Sequence, residues 1–287
     1  LSELWVGVMV KNETARRWYD RRGFRFVREE PFRMGQTTVV HVIGCKSVGK
    51  SVGDADLRPR LTSHYPGKGD SSALAEAANL FLGQQKEQWP GLAESYAALK
   101  DVRVREVRGG FWSAKVQFNP RRVVSSAARL DPESIRSRPC FLCGAQLPPE
   151  QRAILYRESY LILGNPVPVF PGHLTVAHIR HLPQSLADHR ETFLRLAADF
   201  GPAMVLLYNG PRCGASAPDH LHFQALPAGL LPVERELEGA FHKAEMKRRG
   251  TAVIRCAEGI GRGVIVVEGN RADEVTAALG EVIGALS

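Results

Sequence analysis

The stretch Asn209-Gly210-Pro211-Arg212-Cys213-Gly214-Ala215-Ser216-Ala217-Pro218-Asp219-His220-Leu221-His222-Phe223-Gln224-Ala225 sets a turn rich in Gly, Pro and Ser against an alternation of polar and apolar residues. Alternation at period two marks a strand with one face in a core. His220, His222 and Gln224 are therefore expected on one face, and Leu221, Phe223 and Ala225 on the other. Two imidazoles and an amide in one row are wasteful as structure alone. Neutral imidazole ligates metals and attacks electrophilic phosphorus, so the row reads as a chemical site.

Upstream, Cys140-Phe141-Leu142-Cys143 spaces two thiols so that they can clasp one zinc ion. The sequence has no second pair of this spacing, so the remaining ligands are expected among the histidines of Pro171–His181 (His173, His178, His181) and at His220. A redox pair is the rival reading, but the motif lacks the helix-opening context of thioredoxin-like proteins. Five cysteines in 287 residues, an odd number, argue against a secreted disulfide framework and for reduced thiols in a cytoplasm.

Around these motifs the pattern alternates between helix and strand. A helix is expected from a cap at Ser71 or Ser72, with Leu74, Ala77, Ala78, Phe81 and Leu82 on one face, and a second over Gly91 to Leu99. Val102–Val107, a Gly109-Gly110 turn and Phe111–Phe118 predict a hairpin. Ala252–Cys256, Val264–Val267 and a helix over Ala272–Leu286 close the chain. Lys115, Gln117 and Asn119 fall on one face of the hairpin's second strand with Arg122 just beyond, so Lys115 and Arg122 are candidates to bring cations to phosphates.

Length alone suggests about two domains. Residues 1–45 read as strand, helix capped by Asn12, and two strands. Residues 46–70 are rich in Gly, Pro, Ser and charge and read as a linker. That linker opens with a Walker A pattern, Gly44 to Ser51. The phosphate site needs a helix starting at Lys50-Ser51, whereas Val52-Gly53-Asp54-Ala55-Asp56-Leu57-Arg58-Pro59 follows, so the match is expected to be chance. The net charge is +8, and the longest basic clusters, Arg16-Arg17 with Arg21-Arg22 and Lys247-Arg248-Arg249, read as solvated helix faces. No aromatic-interleaved basic strand points to nucleic acid, and no apolar run approaches a membrane span.

From about Ser71 onward the chain resembles the histidine-triad superfamily. The resemblance is to the branch of galactose-1-phosphate uridylyltransferase, diadenosine tetraphosphate phosphorylase and GDP-L-galactose phosphorylase. The motifs that carry it are Gly214-Ala215-Ser216-Ala217-Pro218, His220-Leu221-His222-Phe223-Gln224, Asn165-Pro166, Pro171-Gly172-His173-Leu174 and His181. Two departures stand out: Asp219 is inserted between Pro218 and His220, and the second half-module is short or missing. The resemblance implies an α+β fold with an antiparallel sheet and flanking helices over 71–287. It also implies a nucleotidyltransferase or phosphorylase acting on a nucleoside diphosphate sugar or dinucleoside polyphosphate, with a nucleotide and phosphate or sugar phosphate as small-molecule partners. By position, His222 would be the nucleophile and Gln224 a donor to the phosphoryl group. Asn209, Gly214, Ser216, Asn165 and His173 would bind substrate. Cys140, Cys143, His181 and His220 would hold a structural Zn2+, leaving His178 a bystander. A nucleotide hydrolase and a zinc-stabilised binding module without turnover are the alternatives.

Residues 1–45 resemble the closing third of a GCN5-related acetyltransferase through Leu4-Trp5-Val6, Asn12, Ala15, Tyr19, Gly23-Phe24 and the strand ending at Gly44. In that family the residue at Tyr19's place can protonate a leaving thiolate. The Gly-rich turn that cradles coenzyme A would precede Leu1, so the segment is expected to be a partial domain, and the chain, which does not open on Met, a fragment.

Overall fold

The computed structural model describes residues 3–22, 24–34, 37–47, 57–67, 73–110, 112–122, 131–238, 243–257, 259 and 261–286. The chain divides into two compact units, Leu1–Asp54 and Ala55–Ser287.

In the first unit, β1 (Glu3–Met9), β2 (Arg25–Met34) and β3 (Thr37–Ser47) form an antiparallel sheet in the order β1-β3-β2. Helix α1 (Glu13–Asp20) starts at Asn12, whose side chain accepts from the Ala15 amide at 3.0 Å. This satisfies one of the amides that a helix start leaves without a partner. Gly44 lies within β3, opposite Val6 and Phe26 and against the Phe26 ring. The first half of the Walker-type pattern is thus strand; Val48 to Ser51, where its helix would have to start, lie outside the described residues, as do Gly23, Ser71 and Ser72.

The second unit is a mixture of helices and mainly antiparallel strands, as an α+β reading expects. Its largest sheet runs β10-β11-β9-β8-β7-β4, made of β10 (Met204–Leu207), β11 (His222–Pro227), β9 (Leu174–His178), β8 (Tyr160–Gly164), β7 (Ala153–Tyr156) and β4 (Leu61–Tyr65). All neighbours are antiparallel except β4 with β7. One face is apolar. Leu221, Phe223, Ala225, Leu174, Val176, Tyr160 and Ile162 pack there against α2 (Ala73–Gln88), α3 (Pro90–Ala97) and α5 (Arg190–Phe200). Phe223 is fully buried and rings with Tyr160, Phe193 and Tyr208, a burial worth about 2–3 kcal/mol. On the other face Leu161, Leu163 and Ala177 meet Leu142, Leu147 and Ala217 from loops, and the polar row extends from this smaller cluster.

Two expectations need correction. The stretch 46–70 is not simply a linker: β3 runs to Ser47, and residues 57–65 belong to the second unit. Leu57 packs in the smaller cluster, Arg60 donates to the carbonyls of Leu147, Pro148 and Gln151, and β4 is an edge strand. Its polar Thr62, Ser63 and His64 suit an edge, where half the backbone faces water, and Pro59 and Pro66 stand just outside it. On α2, Ala77 is exposed, and Ala75 and Gln85 take the inward positions instead, with Gln85 accepting from the Arg152 amide.

The hairpin β5 (Arg103–Gly109) and β6 (Trp112–Phe118) forms its own two-stranded sheet. The short helices α4 (Pro132–Ser137) and α6 (Pro232–Glu238) flank loops. β12 (Lys243–Arg249), β13 (Ala252–Ala257) and β14 (Val264–Glu268) form a sheet packed by α7 (Ala272–Leu286) through Ile254, Ala278, Val275 and Val282. The basic run lies on strand β12 and not on the helix face that the sequence suggests, and Lys247 and Arg249 both pair with Glu281 of α7. Among the described residues no helix is long and apolar enough to cross a membrane.

Candidate functional site

The polar row is built on the ladder of β11 with β9, where His222 faces Ala177 and Gln224 faces Thr175. Alternation puts His222 and Gln224 opposite the apolar face, as the sequence predicts. His220 differs from that expectation, because β11 begins only at His222. The backbone before it leaves regular pairing: the Leu221 amide donates to Leu182 and the Leu221 carbonyl accepts from His178. His220 is free of the strand's pleat, and its ring reaches the cysteines.

Cys140, Cys143, His181 and His220 converge, with one ligand atom from each lying within 4.8 Å of every other. His220 Nδ1 is 3.3 Å from Cys140 Sγ and 3.6 Å from Cys143 Sγ, and His181 Nδ1 is 3.2 Å from Cys143 Sγ. Tetrahedral zinc, with bonds of about 2.3 Å to S and about 2.0–2.1 Å to N, sets S and N about 3.6 Å apart. Donor chemistry and spacing therefore fit a closed four-ligand metal centre. The outer atoms suit it as well. His220 Nε2 donates to the His178 carbonyl at 2.7 Å, which leaves Nδ1 its lone pair, and His181 Nε2 lies 3.4 Å from Asp219 Oδ2. Asp219, the inserted residue, thus backs a ligand. Burial pushes the Cys140 thiol up to about 12, and Cys143 upward too, in the protein alone; a bound cation would reverse this, since it deprotonates a coordinating thiol.

His222 is buried, and burial lowers its pKa, so the imidazole is neutral at pH 7. Its Nδ1 donates to the His220 carbonyl at 2.8 Å, which places the lone pair on Nε2, and Nε2 has no protein partner among the described residues. Gln224 Oε1 accepts from His173 Nε2 at 2.8 Å, so its NH2 end is the one left to donate outward. His173 is fixed in that tautomer because its Nδ1 accepts from the Val169 amide at 3.1 Å, and burial holds its pKa down to about 4. Asn165 completes the row, donating to Thr175 Oγ1 at 3.0 Å and accepting from the Val167 amide.

Arg122 is half-buried and donates to the Val167 carbonyl at 2.6 Å, and its charge helps to depress His173. Gln117 and Asn119 likewise donate to Val169 and Pro168, so this end of the hairpin braces the loop that presents His173. Lys115 is not brought to the row; its exposed ammonium reaches the Leu230 carbonyl. Asn209 joins through its carbonyl. Gly214, at φ +87°, and Ser216 lie on the exposed crest of the same loop, where the Ser216 carbonyl accepts from Arg138. His178 lies on the opposite face against Tyr160 and His189, as a bystander would.

Sequence reading missed Gln184. It is 3% exposed, with Oε1 accepting from the His222 amide at 2.8 Å and Nε2 donating to the carbonyls of His222 at 3.0 Å and Asn209 at 2.8 Å. A lone Gln in a loop carries no periodic signal, so the residues themselves do not announce it.

No curated protein matches the chain. Among solved structures it is similar to yeast Ap4A phosphorylase Apa2, at 14% identity over 58% of this chain and 59% of that one, with a TM-score of 0.31. The same enzyme in complex with AMP gives 16% over 70% and 71%, TM-score 0.36, and in complex with Ap4A 14% over 59% and 61%, TM-score 0.31. The chain thus spans less than two thirds of the Apa2 chain in the first and last of these. The family model described as "Domain of unknown function (DUF4922)" matches residues 81–227, from the buried face of α2 through the whole polar row to the end of β11, which is more than half of the 287 residues, and the chain belongs to that family.

Proposed function

We propose that the second unit is a histidine-triad-like nucleotidyltransferase or nucleotide phosphorylase that works through a covalent nucleotidyl-His222 intermediate. The observation that carries this reading is the state of His222: a neutral imidazole, its Nδ1 proton committed to the His220 carbonyl and its Nε2 without a protein partner. In the first step the Nε2 lone pair forms a bond to the α-phosphorus of a nucleoside diphosphate sugar or dinucleoside polyphosphate, and the bond to the bridging oxygen breaks. The positive charge that develops on the ring is stabilised through Nδ1–H by the His220 carbonyl. In the second step phosphate or a sugar phosphate attacks the same phosphorus and the N–P bond breaks. Gln224 donates its NH2 to a non-bridging oxygen. Having no proton to give a leaving group or water, it favours transfer over hydrolysis. Asn209, Gly214 and Ser216 would supply the anion cradle, and Asn165, His173 and Arg122 would line the opposite side. Lys115 has the weakest case as a ligand.

Cys140, Cys143, His181 and His220 would hold a zinc ion that supplies structure only, since four protein ligands leave no position for water. The first unit keeps the reading of a partial acetyltransferase-like segment that takes no part in this chemistry.

Intact-mass spectrometry after incubation with a nucleotide panel tests the proposal. A nucleotidyl adduct is expected on the native protein and none on His222→Gly, with metal content unchanged and the variant still folded. Gln224→His should raise the ratio of hydrolysis to transfer. Near-normal transfer by His222→Gly would sink the assignment.

A further inference from the structure

The register of β10 with β11 ends at Leu207 opposite Gln224. Carried two residues further, it would set Asn209 opposite His222 and close the two strands with backbone hydrogen bonds. The Gln184 amide stands there instead. Its Oε1 takes the His222 N–H, and its two N–H bonds go to the carbonyls of His222 and Asn209. Three bonds satisfy this buried amide, so it replaces a rung of the ladder with a wedge. The loop that carries it is sewn to both neighbours, since Leu182 accepts from the Leu221 amide and Tyr208 donates to the Gln184 carbonyl at 3.0 Å.

We infer that Gln184 is a positioning residue: it fixes the backbone of His222 while parting the strands there, so that the chain after Tyr208 peels away and leaves room beside the imidazole for a phosphoryl group. This rests on the reading of His222 as nucleophile. Without the wedge, Asn209 would zip onto His222 and the ring would lose its fixed height on the strand. Misplacement of a reacting group by about 1 Å costs about 100-fold in rate.

The test uses the full chain with Gln184→Met, which keeps length and loses every hydrogen bond, and Gln184→Glu, which keeps the acceptor and loses the donors. With diadenosine tetraphosphate and phosphate as probes, kcat should fall about 100-fold in both variants while KM stays within about twofold. Two-bond 1H–15N spectra of the His222 ring should show its single Nδ1–H tautomer replaced by a mixture. Unchanged kcat, or a change in KM alone, would overturn the inference. If Gln184→Met does not fold, Gln184→Glu decides by the same measurements. If the native protein forms no adduct, the nucleophile reading fails, and the ring spectra then decide the wedge alone: a native tautomer in both variants overturns it.

Discussion

The cysteine–histidine cluster and the polar row meet two residues apart on the chain, at His220 and His222, yet they are assembled in opposite ways. The cluster draws its four side chains from outside the regular strands, around Cys140, at His181 and just before β11. Its ligand atoms face one another, and behind them stand the backbone turn that joins the two cysteines, the His178 carbonyl on His220 Nε2 and the Asp219 carboxylate near His181 Nε2. The row stands on strands or beside them, and each of its groups is held by a named protein partner: His173 by Val169 and Gln224, Asn165 by Thr175, His222 by His220 and Gln184. Ordering loops costs backbone entropy that only an added interaction offsets, whereas a strand's ladder has already fixed its side chains. The cluster should therefore depend on an ion and the row on protonation state.

The largest effect expected from this contrast is on the cluster. Native protein should carry one zinc per chain by elemental analysis, and Cys140→Ser should lose both the zinc and cooperative unfolding, because structural zinc sites contribute about 10 kcal/mol or more. Full stability in strong chelator, with no zinc found, would remove the contrast altogether.

Acid should probe the row. His173 is held neutral with its pKa near 4, below the ordinary value of 6.5, so the unfolded chain takes up the proton first. Its contribution to stability is complete above pH 6.5 and is lost as pH falls toward 4, amounting to about 2 kcal/mol by pH 5. Urea unfolding of native protein and His173→Gln at pH 7.5 and 5 measures it, and the variant should show the shallower acid loss. Equal losses in the two proteins would mean that burial does not control this imidazole.

The smallest effect is expected from the first unit. Removing residues 1–54 should leave the zinc content, Tm and transfer of the remainder unchanged, while removal through Tyr65 should lower Tm, because it takes away Leu57, β4 and the three Arg60 bonds. Loss of turnover in a folded 55–287 protein would make the first unit part of the active one.

Period-two alternation in 221–225 and helical spacing in 74–82 determined β11, α2 and the faces they bury, because hydrophobic burial is encoded locally by side-chain period. The convergence of the thiol pair with His181 and His220, and the shared face of His222 and Gln224, were likewise legible, since thiols and imidazoles at such spacings serve few purely structural ends. The tertiary structure decided the rest. It placed residues 57–65 in the main sheet, where the composition had suggested a linker. It released His220 from the strand, through the bonds of Leu221 to Leu182 and His178, and so gave the two histidines of one motif different partners. It turned Lys115 away and set Gln184 between β10 and β11. These placements depend on hydrogen bonds between residues as much as 115 positions apart, and no local period records a pairing at that range.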